Sequence, residues 1–452
     1  MKRVLVANRG EIAVRVVQAC RALGLESVVA VSEADRDSMA ARLADRTVCI
    51  GPAKPAASYL NQDALLAAAL GTGADAVHPG YGFLAENAGF AEACQKEGLT
   101  FVGPRSETVH TMGNKLAARE AARRSGVPLV PGSDHVAAFE DAAAVAHEIG
   151  YPVLFKAAAG GGGRGIRIVH AETELEHAFR SAAAEAAAAF DDPTLYLERF
   201  VTTGRHIEVQ VIGDRTGRVI HLGDRDCSLQ RRYQKVLEEA PAAAVPEHAR
   251  EAIFRSAVLL AEAIGYLNAG TVEFLYDEER DEHYFLEMNT RIQVEHPVTE
   301  MITGLDLVRL QLQVAAGACL SLTQEQVTFT GHAVECRVNA ESPEQGFRPA
   351  PGRITRWTPP QGPGVRLDTH CFEGYVVPPF YDSLLGKLIV HGHDRAEALA
   401  RTRAALRAFE VEGVATTIPF HSWLLDQPDV VTGRFGTRWL EGHLAEFVDT
   451  SA

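Results

Sequence analysis

Thr271-Val272-Glu273-Phe274-Leu275-Tyr276, a polar loop from Asp277 to Glu282, and His283-Tyr284-Phe285-Leu286-Glu287-Met288-Asn289 carry the reading that decides the fold. Both runs alternate and are rich in β-formers, the pattern of a hairpin. Alternation puts Glu273 on the face of Thr271 and Leu275, and Glu287 on the face of Asn289. A hairpin closing symmetrically about Arg280 sets position 273 against position 287, with the carboxylates about 5 Å apart across the ladder. Such a pair is destabilising by itself, and a divalent cation removes the repulsion. Oxygen-only ligands, with Asn289 as an uncharged third, suit Mg²⁺ bridging nucleotide phosphates rather than zinc. The plainer alternative is an exposed hairpin face with two solvated glutamates, since register is not fixed by sequence alone.

Directly downstream, Thr290-Arg291-Ile292-Gln293-Val294-Glu295-His296-Pro297 concentrates ionisable groups beside the proposed metal site. An arginine there can hold an oxyanion, and a carboxylate can take a proton from it. Upstream, the run from Asp224 to Lys235 alternates charges with no apolar face, which reads as a solvated charged loop. Further upstream, Tyr151 to Lys156 is extended, Gly160-Gly161-Gly162-Gly163-Arg164-Gly165 follows, and Ile166 to Val169 is extended again. Glycines let backbone N–H groups approach phosphate oxygens without interference from Cβ. Because strands flank the loop on both sides, it is a hairpin flap and not a P-loop, which needs a helix after its lysine. On glycine count alone a flexible linker is the alternative.

The N-terminal region opens as a βαβ unit: strand from Lys2 to Ala7, helix from Glu11 to Leu23 closed by Gly24, strand from Ser27 to Ser32. A second unit runs through Leu60 to Leu70, Ala74 to His78, Phe90 to Lys96 and Leu99 to Val102. Together these predict a small doubly wound α/β layer whose first turn, Asn8-Arg9-Gly10-Glu11, is not the nicotinamide fingerprint. Val130 to Val201 reads as a small α/β subdomain carrying the mobile glycine-rich loop. Beyond it come strands from Arg205 to Asn289 around a helix at 247–264, a helix from Pro297 to about Ala316, short strands from Gly331 to Val377, and a final amphipathic helix from Arg395 to Phe409.

Bulk properties exclude several classes. A net charge of −15 with no Lys/Arg cluster leaves no footprint for nucleic acid. No apolar stretch of about 18 residues predicts a membrane span, and the N-terminal apolar run is too short for a signal peptide, so a cytoplasmic protein is expected. The seven cysteines lie at least seventeen positions apart, which is not metal spacing.

These segments together closely resemble the biotin carboxylase family of the ATP-grasp superfamily. The matching strings are Asn8 to Ala13, His78-Pro79-Gly80-Tyr81-Gly82-Phe83-Leu84 with Glu86-Asn87, Met112-Gly113-Asn114-Lys115, and Lys156 to Arg164. Further along they are Arg205 to Gln210, Arg225-Asp226-Cys227-Ser228, Glu238-Glu239-Ala240-Pro241, Glu287 to Glu300, Glu335 to Glu341, and Tyr381-Asp382-Ser383. The resemblance spans about residues 2 to 440. It implies an α/β ATP-grasp architecture: an N-terminal doubly wound domain (1–113), an ATP-grasp domain (114–320) with a mobile lid (131–203), and a C-terminal mixed domain (331–446).

By that similarity Lys115 and Lys156 bind ATP phosphates, aided by Gly161, Gly162 and Gly163 of the flap. Glu198, Arg199 and Val201 belong to the adenine hinge, His206 and Gln230 contact the nucleotide, and Leu275 and Ile166 sandwich the adenine. Glu273, Glu287 and Asn289 hold Mg²⁺ or Mn²⁺. Lys235, Arg291, Gln293, Val294 and Glu295 form a bicarbonate pocket, and Tyr81 and Arg337 meet biotin. Glu295, Arg337, Arg291 and Lys235 are the catalytic set. Two departures stand out: Tyr233 sits where relatives often carry histidine or asparagine, and Ala159 replaces the first glycine of the flap run.

The implied activity is ATP-, metal- and bicarbonate-dependent carboxylation of biotin through carboxyphosphate, the first half-reaction of acetyl-CoA or another acyl-CoA carboxylase in fatty acid biosynthesis. Glu295 would deprotonate bicarbonate and Arg337 would stabilise the biotin enolate. No Met-Lys-Met biotin-attachment segment occurs before Ala452, so the expected partners are a separate biotin carboxyl carrier protein and a carboxyltransferase, with a homodimer implied. Rival readings are another ATP-grasp ligase forming an acyl phosphate and a nucleotide-binding regulatory module without turnover. The run from Arg291 to His296, with Lys235, argues against the former. The complete ligand set argues against the latter.

Overall fold

The structure, a computed structural model, describes residues 1–136, 138–157, 167–190 and 193–451. The N-terminal β-branched runs form β1 (Arg3–Val6), β2 (Glu26–Ser32), β3 (Arg46–Gly51), β4 (Ala76–His78) and β5 (Thr100–Phe101). All pair in parallel, in the order β3-β2-β1-β4-β5. Alternate residues of β1 and β2 pack to opposite faces: Leu5 and Val28 against helices Gln62–Thr72 and Ala88–Lys96, Val4 and Val29 against helix Gly10–Ala22. The carboxyl ends of β1 and β4 lie together, where such sheets place ligands. There the Asn8 side-chain amide donates to the carbonyls of Pro79 and Tyr81, 2.7 Å each, and ties the two loops into one edge.

The small subdomain is a four-stranded antiparallel sheet of β6 (Gly132–Val136), β7 (Val153–Ala157), β8 (Arg167–Val169) and β9 (Leu195–Arg199), ordered β6-β9-β7-β8. The alanine-rich stretch ends helix Glu172–Phe190, and Ala182 and Ala186, one turn apart, turn inward with Phe155 and Val169. β7 and β8 are the expected flap strands, paired Val153 to Val169. The flap tip itself, including Ala159, Gly161, Gly162, Gly163, Arg164 and Ile166, lies outside the described residues.

An eight-stranded antiparallel sheet forms the body. Its strands are β10 (Gly204–Gly213), β11 (Val219–Arg231), β12 (Gln234–Ala240), β13 (Asn268–Asp277), β14 (Glu282–Asn289), β15 (His332–Asn339), β16 (Val365–Thr369) and β17 (Leu384–Gly392). They run β14-β13-β10-β11-β12-β15-β17-β16, so residues from the middle and the C-terminal third share one ladder. Helix Glu247–Ala263 covers one end, and Leu307 and Val308 join Ile292 and Ile212 to the N-terminal core.

Three expectations are corrected. The run from Asp224 to Lys235 is not a solvated loop: it is β11 turning into β12, and Asp224, Arg225, Asp226, Ser228 and Gln230 are buried. Its charges find partners on neighbouring strands, which replaces the lost hydration. The helix expected from Pro297 is two, His296–Thr303 and Leu307–Ala315, because Gly304 takes a left-handed φ of 69° and the Asp306 side chain caps the second by accepting from the Arg309 N–H. Helix Arg395–Ala408 is not the last: Ile418–Asp426, Pro428–Thr432 and Trp439–Ser451 follow. Ile418–Asp426 and Pro428–Thr432 are short and carry proline in the first turn, which hides a helical period, yet Phe420, Leu424 and, from the longer Trp439–Ser451, Phe447 complete the core beneath β15 and β17. No helix among the described residues is long and apolar enough to cross a membrane.

Candidate active site

The hairpin of β13 and β14 places Glu273 directly opposite Glu287. The turn is not symmetric about Arg280. It closes with Asp277 opposite Glu282, one position off, and a bulge at Leu286 restores the register so that the carboxylates meet. Glu273 is densely held: its carboxylate accepts from the side-chain amides of Asn289 and Gln293, 2.7 Å each, and lies 2.9 Å from His206 Nε2 and 3.2 Å from Lys235 Nζ. Burial alone would raise its pKa, but the charges of Lys235 and His206 outweigh this and hold it below the carboxylate range. The reverse holds for His206, lifted to about 9 against the cost of burial by Glu273 and Glu208.

Glu287 is exposed to the cleft and has no hydrogen-bond or ion-pair partner among the described residues, and partial desolvation by the cleft walls together with the Glu273 charge pushes its carboxyl up. An unpaired carboxylate facing a buried one, with Asn289 beside them, fits a hard divalent cation. A second grouping, His206, Glu208 and Glu273, also brings ligand atoms within 4.8 Å of one another. Lys235 Nζ already stands against Glu208 and Glu273, so a cation is in place there without a metal.

The ionisable string after the hairpin wraps around Lys235. Lys235 Nζ donates to Glu295 Oε1 at 2.8 Å, and Arg337 Nη2 donates to Glu295 Oε2 at 3.0 Å. Glu295 is thus ionised between two cations: burial opposes this, Lys235 and then Arg337 favour it, and its pKa falls below normal. Arg291 is held by Glu86 at 2.7 Å and by the Asn289 side-chain carbonyl at 2.8 Å, and the Val294 carbonyl accepts from Lys387 at 2.8 Å. Tyr81 donates its hydroxyl to Glu11, which also accepts Lys387 at 3.0 Å.

Toward the small subdomain, Lys156 Nζ and Arg119 Nη1 both donate to the buried Glu198, at 2.6 Å and 2.8 Å. Lys115 begins helix Lys115–Arg124, and Gln230 lies 3.0 Å from His206 Nδ1. One cleft of about 990 Å³ is lined by Tyr81, Lys115, Lys156, Glu198, His206, Gln230 and Lys235, by Glu273, Glu287 and Asn289, by Arg291 to Glu295 save Ile292, and by Arg337. Arg199, Val201 and Leu275 lie off this lining. Arg199 reaches Tyr284, and Val201 and Leu275 pack together with Val130.

Composition and spacing do not reveal Glu208 and Arg225. Arg225 is fully buried and binds Glu208, Gln210, Thr271, Gln293 and Thr299 at 2.6 to 3.2 Å, so it fixes the strands under the cleft. The available signal is the alternation of Glu208 and Gln210 in the string from Arg205 to Gln210. The charge pattern of the partner strand looks like a loop, and that conceals the pairing.

A cleft in which facing carboxylates meet lysines from two subdomains, with strands β7 and β8 on either side of a glycine-rich stretch of sequence, is that of an ATP-grasp ligase. Residues 1–109 match the family "Biotin carboxylase, N-terminal domain", residues 114–323 "Carbamoyl-phosphate synthase L chain, ATP binding domain" and residues 335–442 "Biotin carboxylase C-terminal domain". The chain is 52% identical to biotin carboxylase 1 of Bacillus subtilis over 98% of both chains. It is also 52% identical to the biotin carboxylase of Pseudomonas aeruginosa, over 98% of this chain and 99% of that one. It superposes with a TM-score of 0.90 and 48% identity on the biotin carboxylase domain dimer of Hydrogenobacter thermophilus 2-oxoglutarate carboxylase, solved with MgADP, ADP and bicarbonate, over 99% of this chain and 98% of that one. The chain belongs to the biotin carboxylase family.

Proposed function

We propose that this chain catalyses the ATP- and bicarbonate-dependent carboxylation of biotin carried by a partner protein. The observation that carries this reading is Glu295, ionised between Lys235 and Arg337 at the end of the cleft that holds the Glu273–Glu287 pair. Residues 1–113, 114–320 and 331–446 are its working units, with 131–203 as the lid.

Lys115 and Lys156 would take the ATP phosphates, Lys156 leaving Glu198 to do so. Glu273, Glu287 and Asn289 would hold Mg²⁺, which neutralises phosphate charge when bound. Lys235 and Arg291 would orient bicarbonate, and Glu295 would take its proton. The oxygen so freed attacks the γ-phosphorus, ADP departs, and carboxyphosphate forms. It breaks down to CO₂ and phosphate, which takes the N1′ proton of biotin. Arg337, a permanent cation, then faces the enolate, and Tyr81 with Lys387 shapes the wall. The partners of this reaction are a biotin carboxyl carrier protein and a carboxyltransferase, and the working state is a homodimer.

The test is paired measurement of phosphate release and carboxybiotin formation from ATP, Mg²⁺ and bicarbonate, with and without free biotin. Slow bicarbonate-dependent hydrolysis that biotin accelerates, with carboxybiotin formed, is the expected result. Acyl-phosphate chemistry indifferent to biotin would point instead to another ATP-grasp ligase, and no turnover would point to a regulatory module.

A further inference from the structure

A second pair of glutamates faces across the same sheet, beyond the metal-type pair. Glu238 on β12 is the ladder partner of Glu335 on β15, and both are fully buried. Glu238 Oε1 accepts from Arg337 at 2.5 Å, but Glu238 Oε2 and both oxygens of Glu335 accept no hydrogen bond. Two facing, buried and largely unpaired carboxylates cannot both stay ionised, because each has lost its hydration and gained a like-charged neighbour. A proton on Glu335 turned toward Glu238 Oε2 removes the repulsion and satisfies an orphaned acceptor.

The pair is joined to the reacting end of the cleft through one side chain, Arg337. Arg337 Nη2 contacts Glu238 Oε1 at 2.5 Å and Glu295 Oε2 at 3.0 Å. The remaining charged groups on this face are accounted for. Lys235 of β12 is committed to Glu208, Glu273 and Glu295, and Lys387 of β17 to Glu11 and the Val294 carbonyl. Asp368 of β16 is paired with Arg366, and Glu300 of the covering helix with Arg15 and Arg366. Burial keeps His296 of that helix neutral and suppresses the acidity of the Cys227 thiol on β11.

The proposed reaction leaves a proton over. ATP⁴⁻, HCO₃⁻ and the ureido N–H of biotin become ADP³⁻, HPO₄²⁻ and a carboxylate, and charge balances only if one H⁺ is released. That proton is the one broken from the bicarbonate O–H, whose electron pair stays on the attacking oxygen. It sits on Glu295, which must shed it before the next turnover.

We propose that Glu238 and Glu335 share one proton at rest, and that Glu238 holds the proton taken from bicarbonate during turnover: Arg337 Nη2 gives an N–H proton to Glu238 as it takes one from Glu295, and the reverse exchange returns it through Glu295 to the cleft water as products leave. This rests on the functional reading above. Burial holds the Glu335 carboxyl well above the usual range. Burial also raises Glu238, against the opposing Arg337 charge, to about 7, where an acceptor empties and refills readily.

Infrared spectra of the whole chain at neutral pH test the resting pair, and the pH profile of bicarbonate-dependent ATP hydrolysis tests the transfer. The expected results are a protonated-carboxyl band that Glu335→Gln removes, and a wild-type rate that declines as pH falls through about 7. In Glu238→Gln the rate drops about tenfold or more and that acid limb disappears, with KM for ATP kept. A uniform loss of rate with the limb unmoved would show a structural role only and overturn the transfer. Absence of the band overturns the resting pair, and this holds even if Glu238→Gln does not fold. A wild type without bicarbonate-dependent hydrolysis overturns the functional reading and the transfer together, whereas the band bears on the pair alone.

Discussion

Glu273 and Glu287 stand opposite each other on β13 and β14, yet only Glu273 is bound by its surroundings. Glu287 has no bonded partner of its own, and only the more distant charges of His206 and Lys235 offset the repulsion. Glu287→Gln should therefore leave the thermal midpoint of the metal-free protein unchanged or higher. Turnover should fall by about a hundredfold or more, the scale of losing metal-borne charge stabilisation. Calorimetry with and without MgATP, beside a rate assay, checks both. Near-normal activity at saturating Mg²⁺ would remove this pair from the metal site.

The half-reactions should separate at the ion pair of Glu295 and Arg337. Glu295→Gln loses the base before carboxyphosphate forms, so background ATP hydrolysis and biotin carboxylation fall together. Arg337→Gln keeps the base, and carboxylation drops by about a hundredfold or more while hydrolysis persists at about the level of Glu238→Gln, because the link between Glu295 and Glu238 goes with it. Because the Arg337 charge lowers both Glu295 and Glu238, the acid limb should also move to higher pH in that variant. Equal loss of both activities, with the fold intact, would refute this division.

Acid stability should depend on Glu239. Burial would raise its pKa, but hydrogen bonds from His332 at 2.9 Å and Arg395 at 2.6 Å bring it down to about 2. A carboxyl depressed in the folded state stabilises above its unfolded value, near 4.5, and that stabilisation is lost as pH falls toward about 2. Glu239→Gln should flatten the decline of the urea midpoint over that window. An unaltered slope would mean that other carboxylates govern acid unfolding.

Arg225→Met should be among the costliest single changes in the sheet. It strips Glu208 and Gln293 of a fully buried partner, and breaking a buried pair costs about 3–5 kcal/mol. Urea unfolding measures the loss, and a shift under about 1 kcal/mol would show that Lys235 alone suffices to hold Glu208.

Tyr233 should be a stability liability. It is 69% exposed at the second position of a two-residue turn, Arg232-Tyr233, with φ of 48° and 64°. Such turns favour asparagine and glycine, because other side chains crowd the backbone in the left-handed region. Tyr233→Asn should raise stability by up to about 1 kcal/mol, read as a higher thermal midpoint. A lower midpoint would mean that the phenol contributes a contact worth more than the strain.

Much of this molecule is legible in its sequence because the signals are local. Alternation and turn composition specify the hairpin, its two glutamates and the flap strands. Helical periodicity and Gly24 outline the first βαβ unit. The strings from Asn8 to Ser383 carry the family. The bulge at Leu286 is not legible, although the facing of Glu273 and Glu287 depends on it, because a bulge is a relation between two strands. The run from Asp224 to Lys235 misleads for the same reason: charged residues look solvated until their partners are known, and the partners of Arg225 lie up to 74 positions away. Likewise Lys387 reaches the Val294 carbonyl and Glu11, and Glu238 meets Glu335, only because the C-terminal strands join the sheet begun by β10. Sequence spacing determines which face a side chain takes. Which charge waits on that face is decided by sheet order, since burial is favourable only where distant strands bring compensating partners.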